Sequence, residues 1–244
     1  MDFAGALLSA AQVDLRFGAL VVLEKVDFAL APGEALGIVG PNGAGKTSLL
    51  NVLAGSYRAS AGTIRFRGKD VSALSAAQRC RQGIARSHQV PRPFTGMTVF
   101  ENLMTAAAHG GGLSGAGAYP RCIDALELCG MLALANRRTE ALGLLDRKRL
   151  EMARALATGP AVLLLDEIGG GLTDAEAAQL VQTIREIRRR DIALVWIEHI
   201  VHVLLQVVDR LVCMDAGHVI AEGEPRQVLA DAKVIDAYLG SAHA

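Results

Sequence analysis

Short apolar runs alternate along the chain with longer segments of helical periodicity. Three runs are entirely apolar and predict strands buried on both faces: residues 35–39, 161–165 and 192–197. Helical patterns cover about 45–53, 145–157 and 174–190. Because strands and helices follow one another in this order, the sequence predicts an α/β fold built on a parallel core sheet.

Two regions differ from this alternating pattern. Residues 13–30 and 62–68 show the mixed apolar and polar positions of half-buried strands, which predicts a smaller antiparallel β-subdomain. Residues 98–156 read as a mostly helical insertion that opens on Thr98 and Glu101, the spacing of a capping box. Shorter elements are predicted further on: a helix at 200–207 and strands at 210–214 and 218–221.

The length of 244 residues suits one large α/β domain, and the 51% of apolar residues is enough to fill its core. We therefore predict a single domain over residues 1–244. Its parts are a core (13–90 and 157–222), a helical subdomain (about 91–156) and a C-terminal tail (223–244).

The net charge narrows the class of partner, and the cysteine content indicates the redox state of the thiols. Lys plus Arg and Asp plus Glu each number 25, so the formal net charge is zero, which disfavours nucleic acid as a partner. The four cysteines form no C-x-x-C pair and are expected to be reduced thiols of a cytosolic chain.

No membrane-spanning segment is predicted. The longest apolar stretch, residues 192–208, contains polar interruptions such as Glu198 and His202, and the N-terminus lacks the positive region of a signal peptide. A membrane role would therefore require a partner.

Residues 40–48 carry the most specific chemical signal. Glycines let the backbone curl so that N–H groups face phosphate oxygens, and the dipole of the following helix adds to the attraction. Lys46 would reach the β- and γ-phosphates, and Thr47 would offer its hydroxyl to Mg²⁺. A glycine-rich turn beside a lysine is the alternative, but strand, loop, Lys-Thr and helix occur here in the order that a nucleotide site needs. The predicted binding residues are Gly40, Pro41, Asn42, Gly43, Ala44, Gly45, Lys46, Thr47 and Ser48.

A second nucleotide signature follows the run at 161–165. This strand ends in Asp166 and Glu167. Asp166 is expected to hold Mg²⁺, and Glu167 to orient or polarise the attacking water. Two solvated acids at an ordinary strand end are the alternative, but the phosphate loop upstream favours the catalytic interpretation.

The spacing of these two signatures around a helical insertion resembles the ATP-binding-cassette (ABC) ATPases over almost the whole chain. The resemblance is narrower to ATPase subunits of branched-chain amino acid and related amide or amino acid importers. The segments that carry it are Arg16–Leu20, Met97–Leu103, Lys148–Leu156 and Ile197–His199.

The resemblance implies roles for further residues. Phe17 matches the aromatic that stacks on adenine, although a strand-core Phe is the alternative. Gln89 matches the loop residue that contacts the metal-bound water and the membrane partner, and His199 matches the histidine that senses the γ-phosphate. The implied cofactors are ATP and Mg²⁺. The expected metal ligands are Thr47, Gln89 and Asp166, and the expected catalytic residues are Lys46, Glu167 and His199.

Two segments depart from the family pattern. The signature loop, usually Leu-Ser-Gly-Gly-Gln, is here Leu142–Asp146, so leucines stand at both glycine positions and a negative charge replaces the amide. After Glu167 the usual proline is Ile168, and Thr173 stands where the family has an aspartate. We predict Asp174 to be the N-cap of the following helix.

The resemblance thus implies a subunit that hydrolyses ATP to energise import of branched-chain amino acids or related small polar solutes. The implied partners are integral-membrane permease subunits, a second ABC ATPase and, indirectly, a solute-binding protein, at the cytoplasmic face of the inner membrane. Because the departures lie on the surface that meets the second ATPase, a heterodimer is favoured over a homodimer. Two alternatives stay open: an ATP-binding regulatory subunit with little hydrolysis, and a soluble ABC ATPase without a transporter.

Overall fold

The computed structural model describes residue 3 and residues 5–240. It divides into two compact units: unit 1 holds the described residues up to Ala76 and from Ala193 onward, and unit 2 holds Ala77–Ile192. The strands are β1 (Leu8–Phe17), β2 (Leu20–Leu30), β3 (Ala35–Val39), β4 (Ala61–Phe66), β5 (Lys69–Asp70), β6 (Ile84–Arg86), β7 (Val162–Asp166), β8 (Ala193–Ile197), β9 (Arg210–Asp215) and β10 (His218–Gly223). The subdomain limits given above are not tested by this division and stay predictions.

The α-helices are α1 (Lys46–Ala54), α2 (Ala76–Gln82), α3 (Val99–His109), α4 (Ala118–Leu128), α5 (Leu144–Ala157), α6 (Asp174–Arg188), α7 (Val201–Leu204), α8 (Pro225–Ala230) and α9 (Ala232–Gly240). Within residues 3 and 5–240, none of them has the length and apolarity required to cross a membrane.

Unit 1 contains the predicted antiparallel sheet, in the order β2-β1-β4-β5. Its inner face is apolar: Val13 pairs with Val26 and Leu15 with Leu23, and all four side chains are buried. The first strand begins at Leu8, earlier than predicted, because Leu8 is also fully buried on this face.

Unit 1 also contains the strands that position the phosphate loop. β3 lies between β8 and β9 and is parallel to both, and β10 pairs with β9 in antiparallel orientation. β3 and β8 are buried at every position, as their continuous apolar sequences predict.

Unit 2 contains the parallel pair β6 and β7 together with helices α3 to α6. The capping box predicted at the start of α3 is present: the Thr98 N–H donates to the Glu101 carboxylate at 2.7 Å, and the Glu101 N–H donates to the Thr98 hydroxyl at 3.2 Å. The α/β fold with a parallel sheet, an antiparallel sheet and a helical region is therefore confirmed.

The prediction that Asp174 caps α6 is wrong. The N-cap is Thr173, whose N–H donates to the Glu176 carboxylate at 2.9 Å while its hydroxyl accepts the Glu176 N–H. Asp174 is the first helical residue. The reason is the spacing of the capping box, which requires the cap residue three positions before the Glu.

We expect Thr173→Ala to lower the free energy of unfolding by about 1 kcal/mol, because the N-cap hydroxyl is lost. Asp174→Ala is the matched control and should cause a smaller loss, since that side chain acts only through the helix dipole. Urea unfolding of both variants measures the difference. If the Asp174 variant is the less stable one, this assignment of the cap is wrong.

The same capping box depends on pH in a defined direction. Hydrogen bonds from Thr173 lower the pKa of the Glu176 carboxyl. The stabilisation by Glu176 is therefore present above its unfolded-state pKa, and it is lost as the pH falls through the lower folded-state pKa.

The four cysteines are free thiols, as predicted, and Cys122, Cys129 and Cys213 are buried. Burial raises the pKa of Cys129 to about 12 and that of Cys213 to about 11. These thiols pack as small apolar side chains.

Candidate functional site

The loop at 40–48 joins β3 to α1 within unit 1, as predicted. Gly45 is the N-cap of α1 with φ of 96°, and a Cβ there would lie 2.9 Å from a Leu23 methyl carbon and 3.0 Å from the Val22 carbonyl oxygen. The Gly217 N–H also donates to the Ala44 carbonyl at 3.1 Å. The second half of the loop is therefore held by close backbone approach to β2 and to the turn between β9 and β10.

Gly40 fixes the first half of the loop. Its φ is 142°, and an added Cβ would lie 2.0 Å from the Met214 carbonyl oxygen, so only glycine fits. Its N–H donates to the Tyr238 hydroxyl at 2.8 Å. The start of the loop is thus held between β9 and α9.

Lys46 places a positive charge at the N-terminus of α1. Its ammonium donates to the carbonyls of Gly40 at 2.7 Å and Pro41 at 2.8 Å, and the residue is only 5% exposed. Thr47 and Ser48 occupy the first turn of α1 and are half-buried. A buried cation, a helix N-terminus and a curled glycine-rich backbone together suit a polyphosphate.

Phe17 stands at the end of β1 and is 51% exposed, so the alternative of a strand-core residue is wrong. The Phe17 and Tyr57 rings form a T-shaped pair, with centroids 5.4 Å apart and an interplanar angle of 84°. An exposed aromatic side chain of this kind can stack on a nucleotide base.

His199 follows β8 in unit 1 and is exposed. Its backbone N–H donates to the carboxylate of Glu198 at 3.2 Å, and Glu198 is buried. This hydrogen bond restricts the backbone of His199 just after the end of β8.

In unit 2, the predicted pair of acids ends β7. Asp166 is 1% exposed, and the Arg86 guanidinium donates to its Oδ2 at 2.7 Å. Sequence reasoning missed Arg86. The available signal was a charged residue within the short strand Ile84–Arg86, which pairs with β7. A carboxylate buried at the end of β7 requires a cationic partner, and Arg86 is placed to supply it.

Gln89 and Glu167 are brought together, because the Gln89 amide Nε2 donates to Glu167 Oε2. Glu167 adopts φ of 47°, a left-handed conformation that costs a non-glycine residue about 1–2 kcal/mol. Such strain persists where the surroundings fix it, and it clusters at functional sites.

The signature loop begins α5, also in unit 2. Gly143 is the N-cap without a side-chain cap, and Leu144 is 45% exposed beside Gly171. Asp146 lies 3.7 Å from Arg149, so its negative charge has a cationic neighbour. An exposed apolar side chain therefore stands in the first turn of α5, where the family pattern has glycine.

Comparison with protein families gives two matches. Residues 23–169 match the model described as "ABC transporter", and residues 218–244 match "Branched-chain amino acid ATP-binding cassette transporter". The chain is 36% identical to the high-affinity branched-chain amino acid transport ATP-binding protein LivG of Escherichia coli (strain K12), over 97% of this chain and 98% of that protein. It is 32% identical to the corresponding protein BraF of Pseudomonas aeruginosa, with the same coverage.

Solved structures agree with this assignment. A nucleotide-free ATP-binding cassette from an ABC transporter superimposes with a TM-score of 0.88 at 29% identity, covering 96% of this chain and 98% of that one. An ATP-binding cassette in its ADP conformation superimposes with the same score and identity, covering 96% and 99%. The chain therefore belongs to the ABC transporter family, as one of its nucleotide-binding ATPases.

Proposed function

We propose that this chain energises the import of branched-chain amino acids. The observation that carries the proposal is the match of residues 218–244 to the branched-chain amino acid model, which adds a substrate class to the general ABC match at 23–169. The LivG and BraF relatives, which cover nearly the whole chain, support the same class. Related small polar solutes are the alternative substrates.

ATP is held, in this proposal, by the loop at 40–48 and by Phe17. Lys46 supplies the positive charge for the β- and γ-phosphates from the buried position described above. The carbonyls of Gly40 and Pro41 that it contacts are neutral, so the ammonium can exchange one of these contacts for a charged phosphate oxygen.

Thr47, Gln89 and Asp166 are the side chains that we propose as ligands of Mg²⁺, by their chemistry. These side chains offer hydroxyl, amide and carboxylate oxygens, which are the hard ligands that Mg²⁺ prefers, usually beside substrate phosphates. When bound there, the ion would neutralise charge that develops on the transferred phosphoryl group.

Glu167 orients the attacking water and accepts its proton, and His199 holds the γ-phosphate through its exposed side chain. The contact with Gln89 supports this role, since it fixes the Glu167 carboxylate in one orientation. Retention of Glu167 and His199 also favours hydrolysis over the alternative of a regulatory subunit that only binds ATP.

The partners proposed for this chain are permease subunits in the inner membrane, which would hold it at the cytoplasmic face, and a second, different ABC ATPase. Two such ATPases would sandwich ATP, each completing the other's site with its signature loop. The exposed Leu144 at the N-terminus of α5 supports unequal sites, because it obstructs the close backbone approach that phosphate requires. A solute-binding protein would deliver the substrate to the permeases.

Deleting the gene in its source organism should abolish high-affinity uptake of radiolabelled leucine, isoleucine and valine, because the transporter loses an ATPase. Wild-type protein should restore uptake, and Lys46→Ala protein should not. Uptake of an unrelated solute serves as the control. Normal uptake of all three amino acids in the deletion strain would refute the proposed substrate class.

A further inference from the structure

The C-terminal helix α9 contacts the beginning of the phosphate loop. The Tyr238 hydroxyl accepts a hydrogen bond from the Gly40 N–H at 2.8 Å, across 198 positions of sequence. We propose that Tyr238 is a positioning residue for nucleotide binding, which holds Gly40, and through it Lys46, in the geometry that receives phosphate. The inference rests on the phosphate-binding role proposed for Lys46.

Contacts with Met214, Lys46 and Tyr238 restrict the backbone at Gly40. Its Cα lies so close to the Met214 carbonyl that no side chain fits. Its own carbonyl accepts the Lys46 ammonium at 2.7 Å, while its N–H is held by Tyr238. The peptide groups on the two sides of the Gly40 Cα therefore connect the tyrosine of α9 to the lysine of the loop.

A glycine in this position needs such support. The φ of Gly40 is 142°, and glycine can adopt many other φ values because it has no Cβ. The residue type alone therefore does not hold the backbone in this conformation. Rotation about Gly40 would turn its carbonyl away from the Lys46 ammonium. A hydrogen bond to the Gly40 N–H opposes that rotation directly.

Helix α9 is itself fixed, so Tyr238 is not a freely moving side chain. Val234 lies one turn before Tyr238 on the same helix face and is buried. The start of the helix is fastened to Asp231, whose carboxylate accepts the Lys233 N–H at 2.8 Å. Tyr238 is 38% exposed and enters the contact from this anchored helix.

The phenol stays neutral at physiological pH. Burial raises the pKa of Tyr238, so the hydroxyl is a neutral acceptor for Gly40 over the whole physiological range. The contact is therefore expected to act as a constant support and not as a pH switch.

Tyr238→Phe tests the inference, since it removes the hydroxyl and keeps the ring. In the purified full-length chain, we expect the affinity for ADP to fall about three- to tenfold, the effect of one lost hydrogen bond. In the assembled transporter, the KM for ATP should rise by the same factor while kcat is retained. Amide exchange at Gly40 should become faster. Tyr119→Phe, in an exposed tyrosine that packs on Phe100, is the matched control and should change none of these values.

A purely structural role for Tyr238 gives a different result. Thermal stability would fall in Tyr238→Phe, but ADP affinity, the KM for ATP and Gly40 exchange would equal the wild-type values, and the inference would be overturned. Lys46→Ala separates this failure from a failure of the proposed function. If Tyr238→Phe binds ADP normally and Lys46→Ala does not, only the inference fails; if Lys46→Ala also binds normally, the proposed role of the loop fails.

Discussion

Glu167→Gln in the assembled transporter is expected to reduce ATP turnover about 10²- to 10⁴-fold while ATP binding is retained. The amide is nearly isosteric with the carboxylate, so the Gln89 contact and the backbone conformation can persist, but it cannot accept the proton of the attacking water. Turnover is measured by phosphate release, and binding by equilibrium titration with ATP. Glu127→Gln, an exposed change on α4, is the matched control and should leave both unchanged.

The same experiment tests the asymmetry between the two ATPases. The equivalent glutamate of the second ATPase would serve the site that faces Leu142–Asp146, where the leucines remove phosphate contacts. Losing one or two such contacts costs roughly 2–4 kcal/mol in the transition state, or about 30- to 1000-fold in rate. Exchange of the partner's glutamate should therefore remove little turnover. Equal losses from both exchanges, or a native homodimer with full turnover, would contradict the unequal pair.

Lys46→Ala is expected to lower ATP hydrolysis about 10²- to 10³-fold and to weaken ATP binding. The lysine is the buried positive charge of the loop, and truncation removes the cation that would meet the phosphates as well as the donor to the carbonyls of Gly40 and Pro41. Steady-state hydrolysis and ADP titration measure the two effects.

Lys69→Ala is the matched control for this change, because it removes one exposed positive charge from β5 in the same unit. It should leave hydrolysis at the wild-type level. A similar loss in both variants would mean that net charge, and not the position of Lys46, determines the effect.

Much of the fold follows from local sequence. The apolar runs that became β3, β7 and β8 have no polar position, and burial on both faces requires such a pattern. The start of α3 follows from Thr98 and Glu101, whose side chains satisfy each other's backbone N–H groups. At α6 the same spacing places the cap at Thr173, three residues before Glu176, so the prediction of Asp174 as the cap is wrong.

Other elements give weak local signals. Helix α2 consists largely of Ala, Gln and Arg, so it shows no apolar periodicity. Neither α2 nor α8 is among the predicted helices. For α8 a signal exists, because Glu224 followed by Pro225 is the pattern of an N-cap with proline in the first turn. Short helices of this kind depend on tertiary contacts more than on propensity.

The residues of the candidate site also differ in how well the sequence predicts them. The loop at 40–48 and the pair Asp166 and Glu167 are contiguous motifs, so the sequence identifies them directly. Arg86 and Tyr238 take part through contacts with residues 80 and 198 positions away. A single sequence does not encode such pairings in any local pattern.

The buried thiols determine how this protein can be studied. A cysteine reacts with alkylating agents and peroxides as its thiolate, and at neutral pH a thiol with a pKa of about 11 or 12, as in Cys213 and Cys129, is almost entirely protonated. Burial also raises the pKa of Cys80 and Cys122. A cysteine introduced at an exposed position can therefore carry a fluorescent or spin label while the buried thiols of Cys122, Cys129 and Cys213 remain in place.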